Sequence, residues 1–163
     1  MALQRKQMNM AGAKPKGCIV VGIGNPLLKD DRAGIEVVEA LKSRNSQLNT
    51  ATLYSIGADV LDTIRGYEEA VIVDACQMGL PPGTVLEMTP DAFFESYPDY
   101  GCQGVGLGAA LRNGQKSHPD QMPRKIKIIL VEVEDISTFS TKCTPVVKHA
   151  INDVVARIQT ATA

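Results

Sequence analysis

Three aspartates in this chain stand where a carboxylate could do chemistry. Asp30 and Asp31 follow an apolar run and a turn rich in Gly, Asn and Pro, which occupies residues 22–29. Asp74 ends a second apolar run, which begins at Ala70. Burying a carboxylate is costly without a partner, so each acid is a candidate for binding a cation or for general acid–base catalysis.

Each aspartate also has a purely structural explanation. Asp30 falls where a helix needs an N-cap, and Asp31 falls in the first turn of the predicted helix 31–43. Asp74 can serve as a turn residue at a strand end. One acid satisfies the cap, so we expect Asp30 to cap the helix and Asp31 to face a site.

The glycines before the acid pair do not make a dinucleotide-binding turn. Gly22 and Gly24 have the first spacing of that fingerprint, but Leu27 occupies the position of its third glycine. Two carboxylates would also repel a phosphate from the start of the following helix. A nucleotide site is therefore disfavoured.

Composition favours one domain that acts on a small molecule or a protein. The 163 residues are 44% hydrophobic and carry a formal net charge of -1, which gives no basic footprint for nucleic acid or membrane. We expect residues 1–16 to be a flexible leader and residues 17–163 to form a single α/β domain. No signal peptide or membrane span is evident, so a cytoplasmic monomer is predicted.

Strand-like and helix-like runs alternate along the chain. This alternation predicts a three-layer α/β sandwich, with a mostly parallel, twisted sheet of about five strands and helices on both faces. The carboxyl ends of the first and third strands flank the crevice where such folds bind ligands, so Asp31 and Asp74 should meet there. The predicted strands are 18–22, 50–55, 70–73, 84–88 and 124–132, the predicted helices include 31–43, 59–66 and 145–158, and residues 113–123 are predicted to be a linker.

Cysteine and histidine usage gives no independent site. The four cysteines contain no C-x-x-C pair, so neither a zinc site nor a disulfide framework is indicated. His118 lies in a polar segment and His149 in the last helical pattern, and both are expected to be surface residues.

The order of these motifs resembles that of the nickel-iron hydrogenase maturation endopeptidases, which remove a C-terminal peptide from the hydrogenase large subunit. The first motif, GIGNPLLKDD, is fairly specific, and the others are weaker but follow in family order. The matching segments are residues 22–31, 71–75, 82–85 and 106–107 and the strand 125–132.

The resemblance implies that Asp31 and Asp74 contact the nickel of the precursor and take part in catalysis, as in an aspartate-type protease. The family's third contact is a histidine, and Gln103 occupies its position here. Amide oxygen is a weaker nickel ligand than imidazole, so Cys102 and His118 are alternatives to Gln103. The nickel is expected to arrive with the substrate, held by precursor thiolates, rather than to be held tightly by the free protein.

The resemblance therefore implies an endopeptidase that cleaves a nickel-loaded large-subunit precursor. Two alternatives stay open: a non-catalytic relative that binds the precursor's metal centre as a maturation checkpoint, and an unrelated small-molecule hydrolase on the same fold. Arg32, which follows the acid pair, is expected to be exposed to solvent, with Asp30 or a substrate carboxylate as its alternative partner.

Overall fold

The computed structural model describes residues 16–44, 47–100 and 106–163. Five strands and five helices lie in these ranges. The strands are β1 (Lys16–Ile23), β2 (Asn49–Leu53), β3 (Tyr67–Cys76), β4 (Val85–Met88) and β5 (Lys125–Glu132). The helices are α1 (Ala33–Ser43), α2 (Ala58–Ile64), α3 (Pro90–Ser96), α4 (Leu107–Ser117) and α5 (Pro145–Ala161).

The strands form one sheet in the order β2-β1-β3-β5-β4. Four strands, β2, β1, β3 and β5, are parallel to one another. The fifth, β4, pairs with β5 in the antiparallel direction at one side of the sheet. Gly22 on β1 lies between Thr52 of β2 and Val73 of β3. We call the edge at which the four parallel strands end the carboxyl edge, and both β1 and β3 present their last residues there.

Helices cover both faces of the sheet, as predicted. On one face, apolar residues of β1, β3 and β5 pack against α1 and α5 in a single cluster that includes Val20, Val73 and Ile151. On the other face, a second cluster joins the sheet to α2, α3 and α4 and includes Ile72 and Leu111. The period-2 alternation of side chains assigns Ile72, Asp74 and Cys76 to this second face.

The main elements match the predicted ones, with differences at their ends. Strand β3 continues past Asp74 to Cys76, because β5 pairs with it along that whole length. Helix α4 extends to Ser117, into the segment that was predicted to be a linker. Lys16, the last residue of the expected leader, pairs with Tyr67, and residues 1–15 lie outside the described part of the chain.

The described helices lack the features of a membrane span. None of those in residues 16–44, 47–100 and 106–163 combines the length and the apolar character that crossing a bilayer requires.

Candidate functional site

Gly34 places the start of α1 directly over the ends of β1 and β3. A Cβ atom at this position would collide with the carbonyl oxygens of Ile23 and Val73. Only glycine allows so close an approach between a helix and a sheet. The turn that carries the acid pair is therefore held at the carboxyl edge, between the two strands that precede the candidate acids.

Asp31 lies in this turn with its side chain half-buried. Its Oδ2 accepts a hydrogen bond of 3.1 Å from the backbone N–H of Asn25. Burial raises the pKa of Asp31, and the Asn25 hydrogen bond opposes this effect. Gly24 makes the turn compact, because a Cβ atom there would collide with the carbonyl oxygen of Asp31.

Asp74 is the more deeply buried acid, with 7% of its surface exposed. Its Oδ1 accepts a hydrogen bond of 2.9 Å from the N–H of Ala75, and its Oδ2 accepts one of 3.0 Å from the Tyr100 hydroxyl. Burial raises the pKa of Asp74 to about 7, and the negative charge of Asp31 pushes it in the same direction. The two carboxylates therefore lie close enough at the carboxyl edge to interact electrostatically, as their positions after the first and third strands predict.

Tyr100 was not identified from the sequence, and it has two acceptors for one proton. Its hydroxyl oxygen lies 3.0 Å from Asp74 Oδ2 and 2.9 Å from the carbonyl oxygen of Ala75. The ring is held edge-on against Phe93, with 5.0 Å between the ring centroids. Burial and the charge of Asp74 raise the pKa of Tyr100, so the hydroxyl stays protonated and acts as a donor.

Glu132 is a third buried acid at the carboxyl edge, and it was also missed. It ends β5 opposite Cys76, whose thiol lies 3.3 Å from Glu132 Oε2. Its carboxylate accepts hydrogen bonds of 2.9 Å from Met78 N–H and 3.0 Å from Gly79 N–H. Glu132 therefore fixes the loop after β3. The sequence contains the same signal for Glu132 that identified Asp74, namely an acid at the end of an apolar strand.

The prediction that Asp30 caps the first helix is wrong. Helix α1 begins at Ala33, and no side-chain hydrogen bond caps it. The carboxylate of Asp30 is fully buried and accepts hydrogen bonds from the backbone N–H groups of Glu134, Asp135 and Thr144 at 2.7–3.1 Å. Asp30 thus fastens the turn after β1 to the connection between β5 and α5.

The prediction that Arg32 is exposed is also wrong. Only 11% of its side chain is exposed. Its Nε donates to Glu36 at 2.9 Å, and its Nη1 donates to the Pro26 carbonyl at 2.8 Å. Lys148 completes this network with a 2.8 Å contact to Glu36. Arg32 therefore pairs neither with Asp30 nor with a group in the crevice.

The described residues do not show which side chain makes the expected third contact with nickel. Gln103 and Cys102 lie outside them. His118 follows the last turn of α4, whereas the first residue of α4, Leu107, is bonded to Tyr100 near the crevice. An 11-residue helix is about 16 Å long, so His118 lies well away from Asp74.

Taken alone, the described residues offer two carboxylates rather than a complete metal centre. Within residues 16–44, 47–100 and 106–163, no group of three His, Cys, Asp or Glu side chains could hold a metal ion. Among the ion pairs of these residues, none involves Asp31 or Asp74. Two adjacent, unneutralised carboxylates favour a divalent cation that brings its own further ligands.

Known proteins similar to this chain are described as hydrogenase maturation or hydrogenase expression/formation proteins. A family model described as hydrogenase maturation protease, HycI, matches residues 35–161. The chain is 26% identical over 144 residues to the hydrogenase expression/formation protein HoxM of Cupriavidus necator, covering 85% of this chain and 70% of HoxM. It is 27% identical over 147 residues to HupD of Thiocapsa roseopersicina, covering 84% of this chain and 63% of HupD, which is less than two thirds of that relative.

Solved structures share the fold. The maturation protease HybD of Thermococcus kodakarensis superposes with a TM-score of 0.70 at 20% identity, covering 90% of this chain and 99% of HybD. HybD of E. coli superposes with a TM-score of 0.65 at 22% identity, covering 88% of this chain and 90% of the other. Because the family model spans most of the chain, including Asp74 and α5, this protein belongs to the hydrogenase maturation protease family.

Proposed function

We propose that this protein is an endopeptidase that removes the C-terminal peptide of a nickel-loaded hydrogenase large-subunit precursor. Family membership supports the role in hydrogenase maturation. The remaining support is the pair Asp31 and Asp74, which interact at the carboxyl edge and form no ion pair with a cationic side chain among the described residues. In this proposal the pair receives the nickel of the precursor.

The nickel belongs to the substrate. Oxygen ligands alone do not select nickel over commoner divalent cations, so two carboxylates cannot provide the specificity. Thiolates of the precursor would hold the ion, and Asp31 and Asp74 would add oxygen ligands from this chain, with Gln103 as the proposed third contact. The free protein is then expected to bind nickel weakly. Bound nickel would supply positioning and polarisation of the scissile carbonyl.

Asp74 is the residue we propose for proton transfer. In the metal-free protein a carboxyl whose pKa is about 7 is present in both protonation states at neutral pH, and a nickel ion bound beside it would favour the ionised form that a general base needs. It can accept a proton from the attacking water and return it to the leaving amine. The hydrogen bonds from Ala75 and Tyr100 fix its two oxygens and so orient the group toward the crevice.

The test is incubation of the protein with nickel-loaded and nickel-free precursor from the same organism, followed by intact-mass measurement. We expect a loss of C-terminal mass only from the loaded precursor. Asp31→Asn and Asp74→Asn should abolish the loss, whereas Asp153→Asn, at a half-exposed site on α5, should leave it unchanged. Binding of loaded precursor without cleavage would favour the checkpoint alternative, and equal cleavage of both forms would refute nickel recognition.

The family match disfavours the unrelated small-molecule hydrolase. A cytoplasmic location and a monomeric state stay predictions of the sequence.

A further inference from the structure

Exposed apolar side chains are concentrated at the carboxyl edge of the sheet. In the part of the chain that the structure describes, the large hydrophobic residues with exposed side chains are Leu27, Tyr54, Ile136, Phe139 and Val146. The first two follow β1 and β2, and the other three lie in the connection that leaves β5 or in the first turn of α5. A single exposed apolar residue is ordinary, but a collection at one edge indicates an interaction surface.

Leu27 and Phe139 lie on neighbouring loops at this edge, with 61% and 81% of their surfaces exposed. An isolated antiparallel bridge between Leu28 and Phe139 joins the two loops. Backbone hydrogen bonds of 2.9 and 3.0 Å flank this pair. In a pair flanked in this way the two side chains stand side by side, and Leu28 is itself partly exposed. We call Leu27, Leu28 and Phe139 the apolar rim.

The apolar rim continues directly into the turn that carries the acid pair. The N–H of Leu27 donates to Asn25 Oδ1 at 2.9 Å, and the N–H of Asn25 donates to Asp31 Oδ2 at 3.1 Å. Asn25 therefore contacts both the rim and the carboxylate. Asp30 fastens the same two loops, since its N–H donates to the carbonyl oxygen of Asp135 at 2.8 Å. The rim is thus formed before any partner binds, so little ordering is required on association.

The spread of the exposed side chains favours a wide partner. Tyr54 directly follows β2, the strand beside β1 in the sheet, whereas the bridge to Phe139 comes from the connection after β5. A single extended peptide is about 4.8 Å wide, which is the spacing of one strand. A partner that contacts the loops after β1, β2 and β5 together has to be wider, as the surface of a folded protein is.

We infer that the apolar rim is the surface on which the folded body of the large-subunit precursor docks, with Leu27 and Phe139 as its anchors. Position selects this occupant. In the proposed function the nickel at Asp31 is still held by precursor thiolates, so the precursor surface around those thiolates has to cover the neighbouring Leu27. Burial of apolar anchors supplies affinity that two carboxylates alone do not. The inference rests on the proposed function and names its docking surface.

The first test measures binding without cleavage. The nickel-free large-subunit precursor from the same organism is the probe, and its affinity is measured by biolayer interferometry. Leu27→Ser and Phe139→Ser should each weaken binding about 10-fold, because each removes an apolar anchor. Phe139→Leu keeps an apolar side chain and should retain most of the affinity. Because both sites are exposed, thermal melting should be unchanged in all three variants.

The matched control is Ala156→Ser, at an exposed position of α5 about 16 Å along the helix from its start. It should bind the precursor as the unaltered protein does. Equal affinity of Leu27→Ser, Phe139→Ser and the control, or no binding by the unaltered protein, would overturn the proposal.

The second test uses cleavage of the nickel-loaded precursor. Phe139→Ser should raise KM about 10-fold and leave kcat unchanged, because the acid pair is intact once the precursor is bound. A fall in kcat with an unchanged KM would contradict a docking role.

Other occupants of the rim give different results. Sedimentation velocity should show the same species for the unaltered protein and Phe139→Ser, and a dimer that this substitution dissociates would make a second copy the occupant. Hydrogen–deuterium exchange of residues 25–29 and 135–140 should be the same after removal of residues 1–15. Faster exchange in the shortened protein would mean that the chain's own first residues occupy the rim, and the proposal would fail.

The outcome is separable from that of the proposed function. Asp74→Asn should abolish precursor cleavage and leave the affinity for the nickel-free precursor unchanged. If no form of the protein cleaves the precursor but binding depends on Phe139, the docking surface stands and the protease assignment fails. If cleavage occurs and the rim variants match the control in affinity and KM, the reverse holds.

Discussion

The carboxylate of Asp30 accepts a hydrogen bond of 2.7 Å from the backbone N–H of Thr144, although 114 positions separate the two residues. The Thr144 hydroxyl also lies within 3.1 Å of the same carboxylate. Asp30 therefore joins the acid turn to the start of α5, and its neighbour Asp31 is left facing the crevice. The two adjacent acids have different tasks, one structural and one at the site.

Asp30→Ala should strongly destabilise the fold. The substitution leaves the backbone N–H groups of Glu134, Asp135 and the buried Thr144 without their acceptor, and each donor that stays unsatisfied costs about 1–3 kcal/mol. A loss on the order of 3–5 kcal/mol is expected, well above the roughly 1 kcal/mol that a lost helix cap costs. Urea unfolding monitored by circular dichroism measures it.

The control for this prediction is the adjacent acid. Asp31→Ala removes one accepted hydrogen bond at a half-buried site, so its unfolding free energy should change by about 1 kcal/mol or less while cleavage is lost. Equal stability of the two variants would contradict the structural role assigned to Asp30.

Asp74→Asn should change how stability depends on pH. The pKa of Asp74 is about 7 in the folded protein and near 3.8 when unfolded, so the folded state holds the proton more tightly. The stabilisation from this proton is present below pH 4 and is lost as the pH rises to 7. Above pH 7 the neutral variant should therefore be more stable than the unaltered protein, by on the order of 4 kcal/mol.

The measurement is the free energy of unfolding between pH 4 and pH 8 for both proteins. The curve of the unaltered protein should fall through this range, and that of Asp74→Asn should be flatter. Parallel curves would show that Asp74 is ionised throughout, and the proton-transfer role proposed for it would then be untenable.

Local patterns predicted the sheet and the convergence of Asp31 with Asp74, because parallel strands of a doubly wound sheet end at one edge. They could not assign Asp30, because its partners in the chain segment before α5 are specified only by tertiary packing. The burial of Arg32 depends likewise on Glu36 and on Lys148 of α5. Local propensity contains no information on such distant contacts.

Gly34→Ala should disrupt the site by separating helix from sheet. The added methyl group would collide with the carbonyl oxygens of Ile23 and Val73, which belong to the backbone of the two central strands and cannot move aside cheaply. We expect a loss of roughly 3 kcal/mol or more, as for severe overpacking. Gly17→Ala is the control, since a Cβ atom there meets no atom within 4 Å. Similar thermal melting of the two variants would contradict the close approach.

Tyr100→Phe should raise the pKa of Asp74 above about 7, because the Tyr100 hydrogen bond favours the ionised carboxylate and so lowers that pKa. The phenyl ring preserves the packing against Phe93, so the fold should be retained. A hydrogen bond to a charged group corresponds to an increase of roughly one pH unit. The shift can be read from the ¹³C titration of the Asp74 carboxyl, and the acidic limb of the pH–rate profile of cleavage should move to higher pH, because a general base acts in its ionised form. Since the hydroxyl has only one proton, an unchanged pKa would mean that Tyr100 donates it to the Ala75 carbonyl, 2.9 Å away, and that Asp74 is held by the Ala75 amide alone.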